Sequence, residues 1–292
     1  MWKPDLCIYH GNCDDGFGAA WSVWRRWPEV EFFAAAYGAP PITVDQVRGK
    51  HVIMVDFSYP YDVLTTLSWE TPRMVILDHH KTAQAALDRL PKMHRCTWRA
   101  MDEAVTECWM HNMPEIVTHF DMNKSGARLA WEFCHPGEEI PALIQAVEDR
   151  DLWRFAIRDT PEISAALRTY KHDLAKWDEF AADLGPLRRD GEAILRGHRK
   201  NIESMCENAY EMEIGGHRVP VVNVPYHYAS DIANELLSKF PQAPFAAAWF
   251  QRSEGQKQFS LRSEDSRMDV SEIAKAYGGG GHRNAAGFQV TA

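Results

Sequence analysis

A chain of 292 residues can hold one large domain or two ordinary ones, and 45% apolar with 25% charged residues is the make-up of a globular protein. The formal net charge of -9 argues against tight, sequence-independent binding of long nucleic acid, but not against a small anionic substrate drawn in by bound cations. No run approaches eighteen uninterrupted apolar residues, so no membrane span is expected.

The start, MWKPDLCIYHGN, lacks the basic segment and apolar stretch of a secretory leader, and a cytoplasmic location is the expectation. LCIYH (6–10) is a short apolar run, and FGAAWSVWRRW after it suits a helix. EFFAAAY, HVIMVDFS (51–58) and RMVILDHH are three further strands, with a short helix over YDVLTTLSWE. Continuous apolar strands separated by helices predict a parallel sheet covered on both faces. From about Ala104 to Arg158 the periodicity is helical, with SGARLAWEFC and PALIQAVEDRDLWRF as two helices, the second opened by Pro141. Residues 185–212 are charged, with Leu187, Ile194, Leu195, Ile202 and Met205 in one stripe, which predicts a helix connecting two domains. EIGGHRVPVVNVP, APFAAAWFQ and QFSLRSE follow as strands of a second, smaller sheet. DVSEIAKAY is a helix capped by Asp269 or Ser271 and ended by Gly278–Gly281. The expected architecture is therefore α/β: a first domain over 1–184, a connecting helix over 185–212 and a smaller α/β domain over 213–292.

The six cysteines, Cys7, Cys13, Cys96, Cys108, Cys134 and Cys206, form no C-x-x-C pair. Their spacing predicts reduced thiols rather than a zinc site or a disulfide framework. The chemistry gathers where strands end. The first ends in YHGNCDDG, with His10, Asp14 and Asp15; the third in Asp56; the fourth in Asp78, His79 and His80. Ligand sites in open parallel sheets lie at the carboxyl ends of strands, so three neighbouring ends would deliver carboxylates and imidazoles to one edge. Carboxylates that close repel and raise one another's pKa unless divalent cations sit among them. Such a set can hold two metals about 3.5–4 Å apart. Imidazole and carboxylate without thiolate favour Mn²⁺, with Mg²⁺ as the alternative. A metal-bridging hydroxide would then attack phosphorus in line, which implies phosphoester hydrolysis. The run YGGGGHRNAAGF is the second signal. Four glycines before His282 and Arg283 suggest backbone N–H groups closing on an anion, and Arg262, with Ser263 beside it, could clamp the same phosphate.

Taken together and in order, HGNCDDGFGAA, VDFS, DHHKT, VEDRDLW and GGGGHRNAAG resemble the motifs of the DHH phosphoesterase superfamily. The resemblance is to its two-domain form, with a C-terminal DHH-associated domain, and covers nearly the whole chain. That group includes RecJ-type exonucleases, nanoRNases and cyclic-dinucleotide phosphodiesterases. The resemblance implies that His10 and an aspartate of the first motif bind metal, that Asp56 bridges two ions, and that His79 is a ligand oriented by Asp78. His80 would face the substrate phosphate or support a ligand, and Asp149 or Asp151 would complete the second metal. Arg262, Ser263, Gly278, Gly279, Gly280, Gly281, His282 and Arg283 would bind a phosphate or terminal nucleotide. Many members space the first motif as H-x-x-x-D-x-D. Here Gly16 stands in the second aspartate's place, which leaves both Asp14 and Asp15 open, with Asp15 favoured by its Asp-Gly pair. One metal or two would bind accordingly. The expected activity is a Mn²⁺-dependent phosphodiesterase releasing nucleoside monophosphates from short oligonucleotides or linear dinucleotides. A phosphatase of small bisphosphorylated nucleotides and a non-hydrolysing nucleotide-binding regulator are the alternatives. A homodimer is the form that the resemblance suggests.

Overall fold

The computed structural model describes residues 2–11, 13–252 and 255–291. Asn12 of the first motif therefore lies outside the described residues. The chain divides into two compact units, Met1–Ile194 and Leu195–Ala292.

The first unit opens with β1 (Leu6–His10), α1 (Asp14–Arg26), β2 (Glu31–Ala35), α2 (Val44–Val47), β3 (Val52–Val55), α3 (Tyr61–Ser68), β4 (Met74–Asp78) and α4 (Lys81–Leu87). It continues with α5 (Trp98–Met110), β5 (Ile116–Phe120), α6 (Gly126–Cys134), α7 (Ala142–Asp151), α8 (Thr160–Leu167), α9 (Leu174–Ala182) and the first half of α10 (Gly185–Cys206). The five strands pair in the order β2-β1-β3-β4-β5, all parallel. Alternation along the strands serves both faces. Cys7, Ile53, Val55, Val75 and Leu77 point to one face and pack with Ala19, Val23, Ala104 and Leu129. Leu6, Ile8, Val52, Met54 and Ile76 point to the other and pack with Val47, Leu64 and Leu87. The opposite side of α1 presents Phe17 and Trp21, four residues apart, to a third cluster built with Ile144, Ile163 and Trp177. Strand β5 falls inside the stretch where sequence periodicity predicted helix throughout; its residues, IVTHF, mix apolar and polar types in so short a run that helical flanks mask it.

The second unit holds the rest of α10, then β6 (Tyr210–Ile214), β7 (His217–Asn223), α11 (Ala229–Lys239), β8 (Ala246–Gln251), β9 (Gln256–Arg262), α12 (Val270–Ala276), β10 (Gly280–His282) and β11 (Ala285–Thr291). The helix α10 stops at Cys206, and Tyr210–Met212, expected to continue it, belong to β6. The sheet runs β10-β11-β9-β8-β7-β6, antiparallel except for β7 with β8. With six strands it is larger than the first sheet, although its unit is the smaller. Asp269 caps α12 by accepting from the Ser271 N–H.

Two glycines of α10 differ in what a side chain would meet. A Cβ on Gly191 would lie 1.9 Å from the carbonyl oxygen of Glu162, so this turn packs backbone against backbone on α8. Nothing lies within 4 Å of a Cβ on Gly197. Gly191→Ala should cost about 1–3 kcal/mol through overpacking, whereas Gly197→Ala should gain about 0.5–1 kcal/mol from helix propensity. Thermal melting of the two variants checks this; a Gly191→Ala protein as stable as the parent would contradict the packing of α10 on α8.

Candidate metal centre

Strands β1, β3 and β4 are neighbours, and their carboxyl ends are level. Tyr9 pairs with Val55, and Val55 with Leu77, so His10, Asp56 and Asp78 come next in register. Asp56 has φ +55°, the left-handed region that aspartate tolerates better than most side chains. It is buried, with Oδ1 3.0 Å from His79 Nε2 and 3.9 Å from His80 Nδ1, and Oδ2 3.4 Å from His10 Nδ1. Helix α6 starts against this residue: a Cβ on Gly126 would stand 2.3 Å from the Asp56 Cβ. Only glycine lets the helix N-terminus come so near.

The structure separates the paired aspartates that sequence left open. Asp15 is buried, and its carboxylate accepts from the Gly126 and Ala127 N–H groups at 2.7 and 3.0 Å, at the N-terminus of α6. Its Oδ2 is 3.5 Å from His79 Nε2. Asp14 instead lies 3.3 Å from His172 and joins none of the metal-competent groups among the described residues. At the end of α7, Asp149 is spent on its own loop, accepting from the Ala156 and Ile157 N–H groups and from the Thr160 hydroxyl. Asp151 reaches His79 Nε2 at 3.7 Å. One imidazole nitrogen thus has three carboxylates around it.

Asp78 is fully buried, and its Oδ1 accepts from the His79 and His80 N–H groups and from His80 Nδ1, the last at 2.8 Å. The expectation that Asp78 orients His79 is corrected: its side chain holds the His80 ring, and His79 only by the backbone. Cys13, which the sequence reading set aside, joins the site. Its Sγ, a ring nitrogen of His10 and a carboxylate oxygen of Asp56 all lie within 4.8 Å of one another. Asp56 with His79 and His80, and Asp15 with His79 and Asp151, form two more such groups.

Burial and then the charges of Asp56 and Asp151 push the Asp15 carboxyl well above the ordinary carboxylate range. Burial also raises Asp151, against the pull of the His79 imidazole, the next largest influence, with the Asp56 charge adding to the rise. Burial pushes Asp56 up as well, but the imidazoles of His10, His79 and His80 more than offset it and hold this carboxyl at about 2. Burial alone would lower His79 and His80; their carboxylate neighbours, Asp56 for the first and Asp78 for the second, raise both instead. Burial, then Asp56 and Asp15, lifts the Cys13 thiol to about 12.

The residues fit divalent cations. His10 Nδ1 and Asp56 Oδ2 are buried and face each other without a hydrogen-bond partner. The ligand atoms of Asp15 and Asp151 lie within 4.8 Å, where two unit negative charges repel by roughly 3–4 kcal/mol at an effective dielectric constant of 20. A dication between Asp15 and Asp151 would remove the repulsion, and one beside Asp56 Oδ2 would satisfy the orphaned pair.

A cavity of about 740 Å³ opens beside Asp15 and Asp151. Arg150, Arg168 and Lys171 line it, with the aromatic rings of Trp153 and Tyr170. Trp153 has φ +55°, rare for so bulky a residue, and is 56% exposed with the Arg150 guanidinium 4.2 Å from its ring centre. Arg150 and Trp153 lie in the VEDRDLW stretch, at the end of α7 and just after it, whereas Arg168, Tyr170 and Lys171 follow α8, where sequence carried no sign of a wall.

In the second unit the glycine run serves the fold and also lines a cavity of about 320 Å³. The Gly278 and Gly279 N–H groups bond to Lys275 and Ala274 carbonyls and close α12, while Gly280 and Gly281 belong to edge strand β10. A Cβ on Gly279 would meet the Gly287 carbonyl at 2.2 Å, so close packing accounts for that glycine. Arg262 is half-buried, with its guanidinium on Ser230 Oγ at 2.8 and 3.2 Å. Ser263 is buried against the Pro244 carbonyl. His282 is exposed, and Arg283 bonds to the carbonyls of Asp265 and Arg267.

Residues 222–292 match the DHHA1 domain family. Over 98% of its length the chain is 30% identical to the uncharacterized protein R106 of Acanthamoeba polyphaga mimivirus, spanning 67% of that protein. It is 33% identical over 147 residues, half of this chain, to oligoribonuclease NrnB of Bacillus subtilis, spanning only 34% of that protein. Two solved structures share the fold. The pGpG-specific phosphodiesterase PggH of Vibrio cholerae matches with a TM-score of 0.51 at 14% identity, over 98% of this chain and 92% of that one. RecJ of Thermus thermophilus in complex with Mn²⁺ matches with a TM-score of 0.51 at 13% identity, over 98% of this chain and 49% of that one. The chain belongs to the DHH superfamily, in the form that carries a C-terminal DHHA1 domain. Among the described residues no helix is long and apolar enough to cross a membrane.

The raised groups set the direction of pH effects. For His79 and His80, folded pKa values above the unfolded value give stability that is full below the unfolded pKa and lost as pH rises through the folded one. Asp15 and Asp151, raised acids, act in the same direction, destabilising once ionised. Asp56 acts oppositely: its stabilisation, present above the unfolded carboxylate pKa, is lost only as pH falls through about 2. Metal-free protein should therefore melt at a higher temperature near about pH 6 than near about pH 8. Saturating Mn²⁺ should reverse that order, because a cation must displace the same protons. Melting in chelator and in Mn²⁺ at both pH values checks this; an order unchanged by metal would contradict a cation among these groups.

Proposed function

We propose that this protein is a divalent-metal-dependent phosphodiesterase that cleaves short oligonucleotides or linear dinucleotides to nucleoside monophosphates. The observation that carries the reading is the crowding of Asp15, Asp56 and Asp151 around His79 Nε2. Two proteins that the chain resembles, the oligoribonuclease NrnB and the pGpG-specific phosphodiesterase PggH, support the substrate class. Asp15, Asp56, His79, Asp151 and His10 would hold the cations, with Mn²⁺ the proposed ion and Mg²⁺ the alternative. Bound, they would supply positive charge against phosphate oxygens and lower the pKa of water.

The chain's own groups do the rest. Asp78 takes the hydrogen bond of His80 Nδ1, which fixes that ring and leaves Nε2 for the substrate. The raised pKa of His80 favours the imidazolium, which can pair with a phosphate oxygen or give its proton to the departing ribose oxygen. In the cavity, Arg168 and Lys171 would neutralise a neighbouring phosphate, and Trp153 offers a face on which a base can stack. In the second unit, Arg262, Ser263, Gly278–Gly281, His282 and Arg283 are the proposed contacts for a phosphate or terminal nucleotide. The net charge of -9 suits a short substrate held by cations.

Asp15 is a poor choice for testing the site, because it also caps α6. Asp151→Asn and His79→Ala test it more cleanly. With Mn²⁺ and a linear dinucleotide, the parent should release mononucleotide, and each variant should lose about a hundredfold or more in kcat/KM. Arg168→Ala with Lys171→Ala should raise KM severalfold and leave kcat nearly unchanged. Turnover of a nucleoside bisphosphate but of no dinucleotide would overturn the phosphodiesterase reading in favour of a phosphatase. Tight nucleotide binding without turnover of either would favour a regulator.

A further inference from the structure

Cys13 stands apart from the other cysteines. The other five cysteines are buried, with Cys7, Cys96, Cys108 and Cys134 in the core of the first unit and Cys206 in that of the second. Cys13 is only partly buried and belongs to none of the hydrophobic clusters of the described residues. Packing therefore accounts for five thiols and not for this one. Its position is a polar one, immediately before α1 and between His10 and Asp15 in sequence. Its Sγ, a His10 nitrogen and an Asp56 oxygen are mutually within 4.8 Å. Three atoms so disposed leave a point no more than about 2.8 Å from each, since 4.8 Å divided by √3 is 2.8 Å. A shift of about 0.5–0.8 Å at most would bring them to the roughly 2.0–2.3 Å at which nitrogen, oxygen and sulfur bind a zinc-sized ion. His10 Nδ1 and Asp56 Oδ2 already await a partner. Asp56 Oδ1 faces His79 at 3.0 Å, so the carboxylate can serve this group with one oxygen and the His79 group with the other.

We propose that Cys13, with His10 and Asp56, binds a borderline-soft divalent ion such as Zn²⁺, Fe²⁺ or Co²⁺ through its thiolate. The proposal rests on the metal-dependent reading of the centre and makes it asymmetric. One position offers sulfur, nitrogen and oxygen; the Asp15, His79 and Asp151 group offers only oxygen and nitrogen and suits harder ions. On binding, the S–H bond breaks, its electron pair goes to the metal, and the proton leaves to solvent.

Cobalt reports the ligand directly. Metal-free protein titrated with Co²⁺ should develop visible d–d bands together with an intense sulfur-to-cobalt charge-transfer band in the near ultraviolet. Cys13→Ser should lose the charge-transfer band. Cys13→Asp should also lose it while keeping the d–d bands, since a carboxylate still binds. Competition in the parent should favour Zn²⁺ over Mn²⁺, and Cys13→Asp should shift that ratio toward Mn²⁺ by about tenfold or more. Circular dichroism checks that both variants are folded. d–d bands without charge transfer in the parent, or a charge-transfer band that survives in Cys13→Ser, would overturn the thiolate ligand while leaving the metal centre intact. No cobalt bands of either kind would overturn the metal-dependent reading as well.

Discussion

Everything in the first unit's site follows from placing Asp15, Asp56 and Asp151 around a single ring nitrogen of His79, at 3.5, 3.0 and 3.7 Å. One imidazolium cannot neutralise three carboxylates. Burial and mutual charge therefore drive Asp15 and Asp151 toward their protonated forms, while Asp56, with imidazoles on both sides, stays ionised. The folded chain holds this arrangement against its own electrostatics. Two devices sustain it: the N-terminus of α6 donates two N–H groups to Asp15, and Gly126 lets that helix close on Asp56. A dication is the species that resolves the conflict, which is why the centre is read as a metal centre.

The fold's contribution is register. Parallel strands β1, β3 and β4 lie side by side, so the residues that follow them emerge at one level. Helices α6 and α7 then bring Asp15's cap and Asp151 to the same edge. Helices α1, α7 and α8 and the turns after α7 and α8 line the neighbouring cavity. The carboxylate of Asp149 ties down the turn after α7, and Trp153 and Phe155, both at positive φ, stand in the turn it holds. Strained bulky residues of this kind concentrate where a site is being shaped.

Much of the centre was legible before the structure. Apolar runs that stop at Asp or His announced β1, β3 and β4, and the strand-end rule placed His10, Asp56 and His79 together. What sequence left unresolved has physical causes. Asp14 and Asp15 are adjacent, and Asp149 and Asp151 are two apart on a helix end. Which of each pair turns inward depends on a cap on α6 and on a loop that consumes Asp149. Cysteine spacing carries no sign of Cys13's place, because its neighbours at the site, His10 and Asp56, include one far along the chain. Strand β5 was hidden by helical flanks. The glycines before His282 close α12 and feed an edge strand, and a glycine run cannot by itself distinguish close packing from ligand approach.

The central claim is that this edge of the first sheet holds divalent cations. Anomalous X-ray scattering from crystals grown with Mn²⁺ tests it most directly. The account predicts a peak within about 2.5 Å of a carboxylate oxygen of Asp56 and of His79 Nε2, with oxygens of Asp15 and Asp151 in the same shell. Manganese found elsewhere on the chain, with these residues uncoordinated, would contradict it.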